Sequence, residues 1–172
     1  MQAKLDTVAV QEGRLARLYR QHVDDAFRLA FLLTGDRALA EDLAQEAFVR
    51  IMGRMAHLRH SGDFAAYLRK TVVNLANSHF RRRKVERRYV AAQARLPEPT
   101  GKAPDLGLRD ELRMALMALP ARQREAIVLR FYEDLSESQT AELMGCMRGT
   151  VRSLVSRGME TLRRVTGGGH DG

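Results

Sequence analysis

The sequence has no tryptophan and a single cysteine, Cys146. One thiol forms no internal disulfide, and no cysteine or histidine cluster has zinc-ligand spacing, so neither a bridge nor a metal is expected to hold the fold. β-branched runs are few, and no Asn-Gly or Asp-Gly turn separates alternating segments, which leaves no strand to defend. No apolar run approaches the ~20 residues of a membrane-spanning helix, and the first residues, MQAKLDTVAV, lack the apolar centre of a signal peptide. A cytoplasmic protein without membrane insertion is expected. The acidic residues have no accompanying histidine, metal motif or glycine-rich loop, so a catalytic centre is not expected and no cofactor is implied.

What remains is rich in alanine, leucine and arginine, and reads as all-α. The chain of 172 residues carries a formal net charge of +8, with a pI near 10.3. A surface this basic suits a polyanionic partner, because binding releases the counterions condensed on nucleic acid. The length allows one domain with a large core or two small ones. Composition favours two: Pro97, Pro99 and Pro104, three of the four prolines, cluster where apolar residues are sparse. That stretch reads as a linker. The expected organisation is a helical bundle over 1–90, a linker over 91–107, a second helical unit over 108–166 and a disordered tail over 167–172.

The first unit centres on DFAAYLRKTVVNLANSHFRRRK, Asp63 to Lys84. Phe64, Tyr67, Leu68, Thr71, Val72, Leu75, Ala76 and Phe80 recur at three- and four-residue spacing, the pattern of a helix with one buried stripe. The other face carries Lys70, Asn74, Asn77 and Arg81, amides and cations able to hydrogen-bond bases and phosphates. A merely solvated face is the alternative. Asp63 is the expected N-cap. A first helix is expected from about Glu12, bearing Leu15, Tyr19, Val23, Ala26, Phe27, Ala30 and Phe31 on one face. Thr34-Gly35-Asp36 ends it and caps a second helix, Arg37 to about Met55. Glu41, Asp42, Gln45 and Glu46 crowd that helix; acid near an N-terminus favours the helix dipole, and a partner-docking face is the other reading. His57 and His60 read as loop residues.

The second unit opens with a helix carrying Leu108, Leu112, Ala115, Leu116 and Leu119, stopped by Pro120. A helix from Ala121 to about Glu133 follows, expected to bury Ile127, Val128 and Phe131. Ser136 and Gln139 form a capping box for a short helix ending near Met144. Ala141, Gly145, Val151 and Leu154 then fall at helix-turn-helix spacing: a small residue at the crossing, a glycine for the turn, apolar anchors on the second helix. That second helix starts near Arg148 and offers Arg148, Thr150, Arg152, Ser153, Ser156 and Arg157 to a major groove. An ordinary helical hairpin is the alternative.

In this order the two units resemble the extracytoplasmic-function sigma factors of bacterial RNA polymerase. LLTGDRALAEDLAQEAFVRI with the Asp63–Lys84 stretch is similar to the family's region two, and ALPARQREAIVLRFYEDLSESQTAELMGCMRGTVRSLVSRGMETLRR to its region four. The resemblance implies a promoter-specificity factor that helps melt DNA and is not an enzyme. It implies that region two docks on the clamp helices of the largest polymerase subunit through Glu41, Asp42, Gln45 and Glu46. It implies a minus-ten surface of Phe64, Tyr67, Lys70, Asn74, Asn77, Arg81, Arg82 and Arg83, with Asn74 beside a flipped base. Region four is then expected on the β flap, its recognition helix at the minus-thirty-five element, with the linker threaded toward the active-centre and RNA-exit channels. An anti-sigma factor is a further candidate partner. The chain departs from the family pattern at Tyr67, often tryptophan; at Met147, commonly a serine N-cap; and at Gln139-Thr140, commonly an acidic-aliphatic pair. The rival reading is a free-standing helix-turn-helix regulator with an N-terminal dimerisation or sensing unit.

Overall fold

The computed structural model describes residues 2–54, 61–89, 105 and 110–167, and the described residues are helical throughout except for turns. Helix α1 runs Gln2–Thr34, α2 Arg37–Met52 and α3 Ser61–Tyr89; α4 runs Asp110–Ala118, α5 Ala121–Ile127, α6 Glu137–Met144 and α7 Arg148–Gly167. Between α5 and α6 lies a π turn, Val128–Tyr132.

Local chemistry sets the boundaries in the first unit. Gly35 sits at φ +72 and sends its N–H to the Phe31 carbonyl at 2.7 Å, ending α1. Any larger residue is strained there, and a Cβ would also lie 2.8 Å from Met117 Sδ of the second unit, so glycine serves both the turn and a close approach. Asp36 then caps α2, its carboxylate accepting from the Leu39 N–H at 3.1 Å. α1, α2 and α3 pack as a bundle around Leu32, Phe48, Ile51, Phe64, Val72 and Val73, all at most 3% exposed.

Several expectations change here. α1 begins at Gln2 rather than near Glu12, and α2 ends at Met52. α3 begins at Ser61, which puts Asp63 inside the first turn rather than at the cap. Met55, His57, His60, Leu108 and the linker, apart from Asp105, lie outside the described residues, as does the 168–172 end of the tail.

In the second unit Ala115, Leu119, Ile127, Leu129, Val151 and Leu162 close the core. Pro120 occupies the N-cap of α5. The expected single helix to Glu133 instead widens at its end: the Glu133 N–H bonds the Val128 carbonyl, five residues back, at 3.0 Å. This extra residue per turn rotates the register, so Phe131, expected in the core, is 60% exposed and lies under the Arg130 guanidinium. The capping box forms as read: Gln139 N–H to Ser136 Oγ at 3.1 Å, and Ser136 N–H to Gln139 Oε1 at 2.8 Å. Gly145 makes the helix-turn-helix turn at φ +60, and Ala141, Val151 and Leu154 are buried behind it. Met147 accepts the Thr150 and Val151 N–H groups through its carbonyl, but its thioether side chain is 79% exposed and supplies no oxygen cap.

Thr140, one of the departures from the family pattern, is fully buried, and its hydroxyl has no hydrogen-bond partner among the described residues. A buried, unpaired hydroxyl costs on the order of 1–3 kcal/mol. Thr140→Val keeps the shape and removes the polar atom, so it is expected to raise the unfolding free energy by about 1 kcal/mol or more in urea denaturation. A loss of stability would mean that the hydroxyl has a partner.

Candidate nucleic-acid interface

Helix α3 presents two faces. Phe64, Leu68, Val72, Val73, Leu75 and Ala76 are buried, whereas Lys70, Asn74, Arg81 and Arg82 are exposed. Asn74 makes no hydrogen bond within the described residues, so its amide keeps both donor and acceptor available. Arg81 leans on Ser78 Oγ at 3.0 Å, and Arg83 is half-buried. Tyr67 is held from below: it packs against the core, and its hydroxyl accepts from Arg54 Nη1 at 2.6 Å. Phe64 does not belong to this surface. Its ring is 1% exposed, closed over by Phe48 at 6.0 Å and His22 at 5.4 Å between centroids, so it supports the bundle rather than meeting a base.

Asn77 is also not free. Its Nδ2 donates to Glu125 Oε1 at 2.7 Å, joining α3 to α5. Glu125 is buried, which pushes its carboxyl above the usual carboxylate range, while Asn77 and Arg122 pull the other way. Two further contacts tie the units together. Arg69 Nε meets Glu133 Oε2 at 2.6 Å. The Arg124 guanidinium, 7% exposed, donates from Nε and Nη2 to the Leu33 carbonyl at 3.1 and 2.8 Å, and from Nη1 to the Met117 carbonyl at 3.1 Å. These carbonyls belong to the last turns of α1 and α4, where helix dipoles and unpaired acceptors favour a cation.

The two units thereby enclose a cleft of about 1380 Å³. Asn74, Asn77, Arg81 and Lys84 line one wall, and Pro120 and Glu142 belong to the other. The polar face of α3 thus opens into this cleft.

The second basic face is the start of α7. Arg148, Arg152, Ser153, Ser156 and Arg157 are exposed and Thr150 half-buried, above the buried Val151 and Leu154. Local bonds set their directions: Ser153 Oγ donates to the Gly149 carbonyl at 3.1 Å, and Arg157 Nε to the Ser153 carbonyl at 3.2 Å. A capped helix, a left-handed glycine turn and a following cationic helix on a packed scaffold make a helix-turn-helix.

The third face is the outside of α2. Ala40, Leu43, Ala44, Ala47, Phe48 and Ile51 are buried, and Glu41, Asp42, Gln45 and Glu46 are exposed. Glu41 pairs with Arg37 and Glu46 with Arg50, at 3.0 and 2.6 Å. The sequence reading missed two members of this face: Val49 is 66% exposed and Met52 49%. They follow the acidic cluster along the same side at three- to four-residue steps and lay an apolar end on a charged surface. Their signal was present, since both fall out of register with the buried stripe.

An exposed amide with cations on α3, exposed arginines and serines at the start of a helix-turn-helix second helix, and an acidic face on α2 thus stand apart on one helical scaffold. Residues 18–86 match Sigma-70 region 2, and residues 109–162 match Sigma-70, region 4. The chain belongs to the extracytoplasmic-function sigma factors of bacterial RNA polymerase. It is 36% identical over 152 residues to the ECF RNA polymerase sigma factor SigE of Mycolicibacterium smegmatis, covering 85% of this chain and 59% of that protein. To the RNA polymerase sigma-E factor of Streptomyces avermitilis it is 32% identical over 153 residues, 84% of this chain and 80% of that one. The chain thus spans less than two thirds of the first relative's length. The solved structure of the sigma factor RpoE in complex with the anti-sigma factor NepR from Bartonella quintana shares the fold, with a TM-score of 0.73 at 24% identity over 88% of this chain and 95% of that one. No helix among the described residues is long and apolar enough to cross a membrane.

Proposed function

We propose that this chain binds core RNA polymerase, directs it to particular promoters and stabilises the melted strand, acting in the cytoplasm as a non-catalytic initiation factor. The proposed division is docking and minus-ten reading by 1–90, a threaded linker over 91–107, and minus-thirty-five reading by 108–166. The observation that carries this reading is a pair of separate polar faces: the exposed Asn74 amide with cations on α3, and exposed arginines and serines at the start of α7. A duplex regulator needs only the second. Capturing an unstacked base needs a donor and acceptor beside cations, which Asn74, Lys70 and Arg81 provide. Asn77 cannot serve a base while its amide is given to Glu125, so the α3–α5 contact opens when promoter DNA enters the cleft. The surfaces proposed for the polymerase are Glu41, Asp42, Gln45 and Glu46 on the clamp helices and the second unit on the β flap. An anti-sigma factor is a further proposed partner, since the similar Bartonella quintana sigma factor is solved in complex with one.

Asn74 gives the direct test of melting. Its side chain is exposed and, among the described residues, unbonded, so Asn74→Ala is expected to leave stability and core binding nearly unchanged. Promoter opening, read by permanganate footprinting, is expected to fall about tenfold, the worth of a good hydrogen bond to a captured base. On a template already unpaired at the minus-ten element, the remaining defect reports the lost base contact alone. Opening of duplex promoters equal to wild type, with the same base preference, would show Asn74 to be only solvent-facing.

A further inference from the structure

Glu137, the first residue of α6, stands across from the recognition helix rather than on it. Both of its carboxylate oxygens meet the same nitrogen of Arg152: Nε lies 2.9 Å from Oε2 and 3.1 Å from Oε1. Arg148 Nη2 stands 4.0 Å from Oε2 as a more distant second cation. The Arg152 side chain is 66% exposed, and its Nη1 and Nη2 have no protein partner among the described residues. One edge of the guanidinium is therefore fixed, and its two terminal nitrogens are left as an unused fork.

This arrangement stabilises the fold little, because exposed ion pairs are weak. Its effect is on the shape of the reading group. A free arginine samples many rotamers and gives a phosphate and a base edge similar access. An arginine tethered through Nε presents only its planar end, the geometry that matches the O6 and N7 acceptors of guanine in the major groove. The tether also cancels part of the cation's charge, which lowers its attraction to phosphates of any sequence. The mutual effect is visible in the charges: the Arg152 hydrogen bond holds the Glu137 carboxyl below the usual carboxylate range, and Glu137 raises the arginine.

We propose that Glu137 is a positioning residue for specificity, which orients Arg152 to read one guanine of the promoter duplex and restrains it from reading phosphate. The proposal rests on the assignment of α7 as the duplex-reading helix and adds to it a residue outside that helix.

The test uses the full chain with core RNA polymerase and a set of promoters in which each minus-thirty-five base pair is changed in turn. Wild type is expected to prefer guanine at one position by about tenfold or more, and Arg152→Ala to erase that preference, which identifies the position. Glu137→Gln is expected to reduce the preference several-fold at that same position. It is also expected to strengthen binding to unrelated duplex, with a salt dependence steeper by about one ion. In the Arg152→Ala background, Glu137→Gln is expected to have no further effect on base preference. The substitution keeps a polar residue in the first turn of α6, so helicity is expected to hold. The proposal is overturned if Glu137→Gln weakens every promoter equally, if it alters preference at a different position, or if its effect persists without Arg152. A wild-type chain with no base preference anywhere overturns the reading-helix assignment as well, whereas a preference that ignores Glu137→Gln overturns this proposal alone.

Discussion

Reversing two charges on α2, Asp42→Lys with Glu46→Lys, is expected to weaken binding to core RNA polymerase by about a hundredfold or more, since like charges set against a complementary surface cost several kcal/mol. The bundle is expected to stay folded. Both side chains lie on the exposed face of α2, opposite Leu43, Ala47 and Ile51. Asp42 makes no ion pair among the described residues, and Glu46 has only the exposed contact with Arg50. Losing that i,i+4 pair costs a few tenths of a kcal/mol. A pull-down at several salt concentrations separates the causes: a docking face loses affinity most at low salt, while helicity measured on the free protein stays at the wild-type value. Unchanged affinity would remove the acidic face from the docking surface and leave it as helix-dipole chemistry. Val49→Asp is a matching probe of the apolar end of the same face.

Arg124→Ala is expected to have the largest effect on stability. One guanidinium satisfies the Leu33, Met117 and Leu119 carbonyls from an almost fully buried position. Burial lowers its pKa, yet a guanidinium remains charged under all ordinary conditions, so among the described residues these carbonyls compensate its desolvation. Truncation deletes the charge and leaves two helix ends with buried, unpaired acceptors. Such losses are about 1–3 kcal/mol per group, so a total of about 2–4 kcal/mol is expected in urea or thermal unfolding. Arg124→Lys keeps a charge without the fork and is expected to fall between. Because Leu33 is 91 residues away in the chain, the same substitution is expected to loosen the contact between the units. A distance label on each unit reads that loosening separately from unfolding. A variant as stable and as closed as wild type would contradict this account of the contact.

The sequence disclosed what is local and concealed what is not. Gly35 with Asp36, Ser136 with Gln139, and Gly145 mark their turns through residue chemistry that acts within four positions, and each lies in the expected conformation. The exposed Asn74 amide of α3 and the arginines of α7 were legible because a 3.6-residue period separates a buried face from an open one, whereas Asn77 is half-buried against Glu125. The π turn was not, since one extra residue in a turn leaves no mark on composition, and Phe131 consequently faces outward. Phe64 fits both an aromatic position of the family and the buried stripe, and only packing against Phe48 and His22 decides between them. The pairings Asn77–Glu125, Arg69–Glu133 and Arg152–Glu137 join residues 15 to 64 positions apart. A single sequence carries no signal for such partners, because any exposed arginine reads as solvated until a fold brings it a carboxylate.

Run-off transcription with purified core RNA polymerase on a library of promoters tests the central claim most directly. The expected result is transcripts that start at discrete sites only when the chain is added, from templates sharing both a minus-thirty-five and a minus-ten element, with Asn74→Ala reducing transcription more from duplex than from pre-melted templates. A chain that fails to bind core polymerase, and instead binds duplex DNA alone as a dimer without permitting initiation, would contradict it.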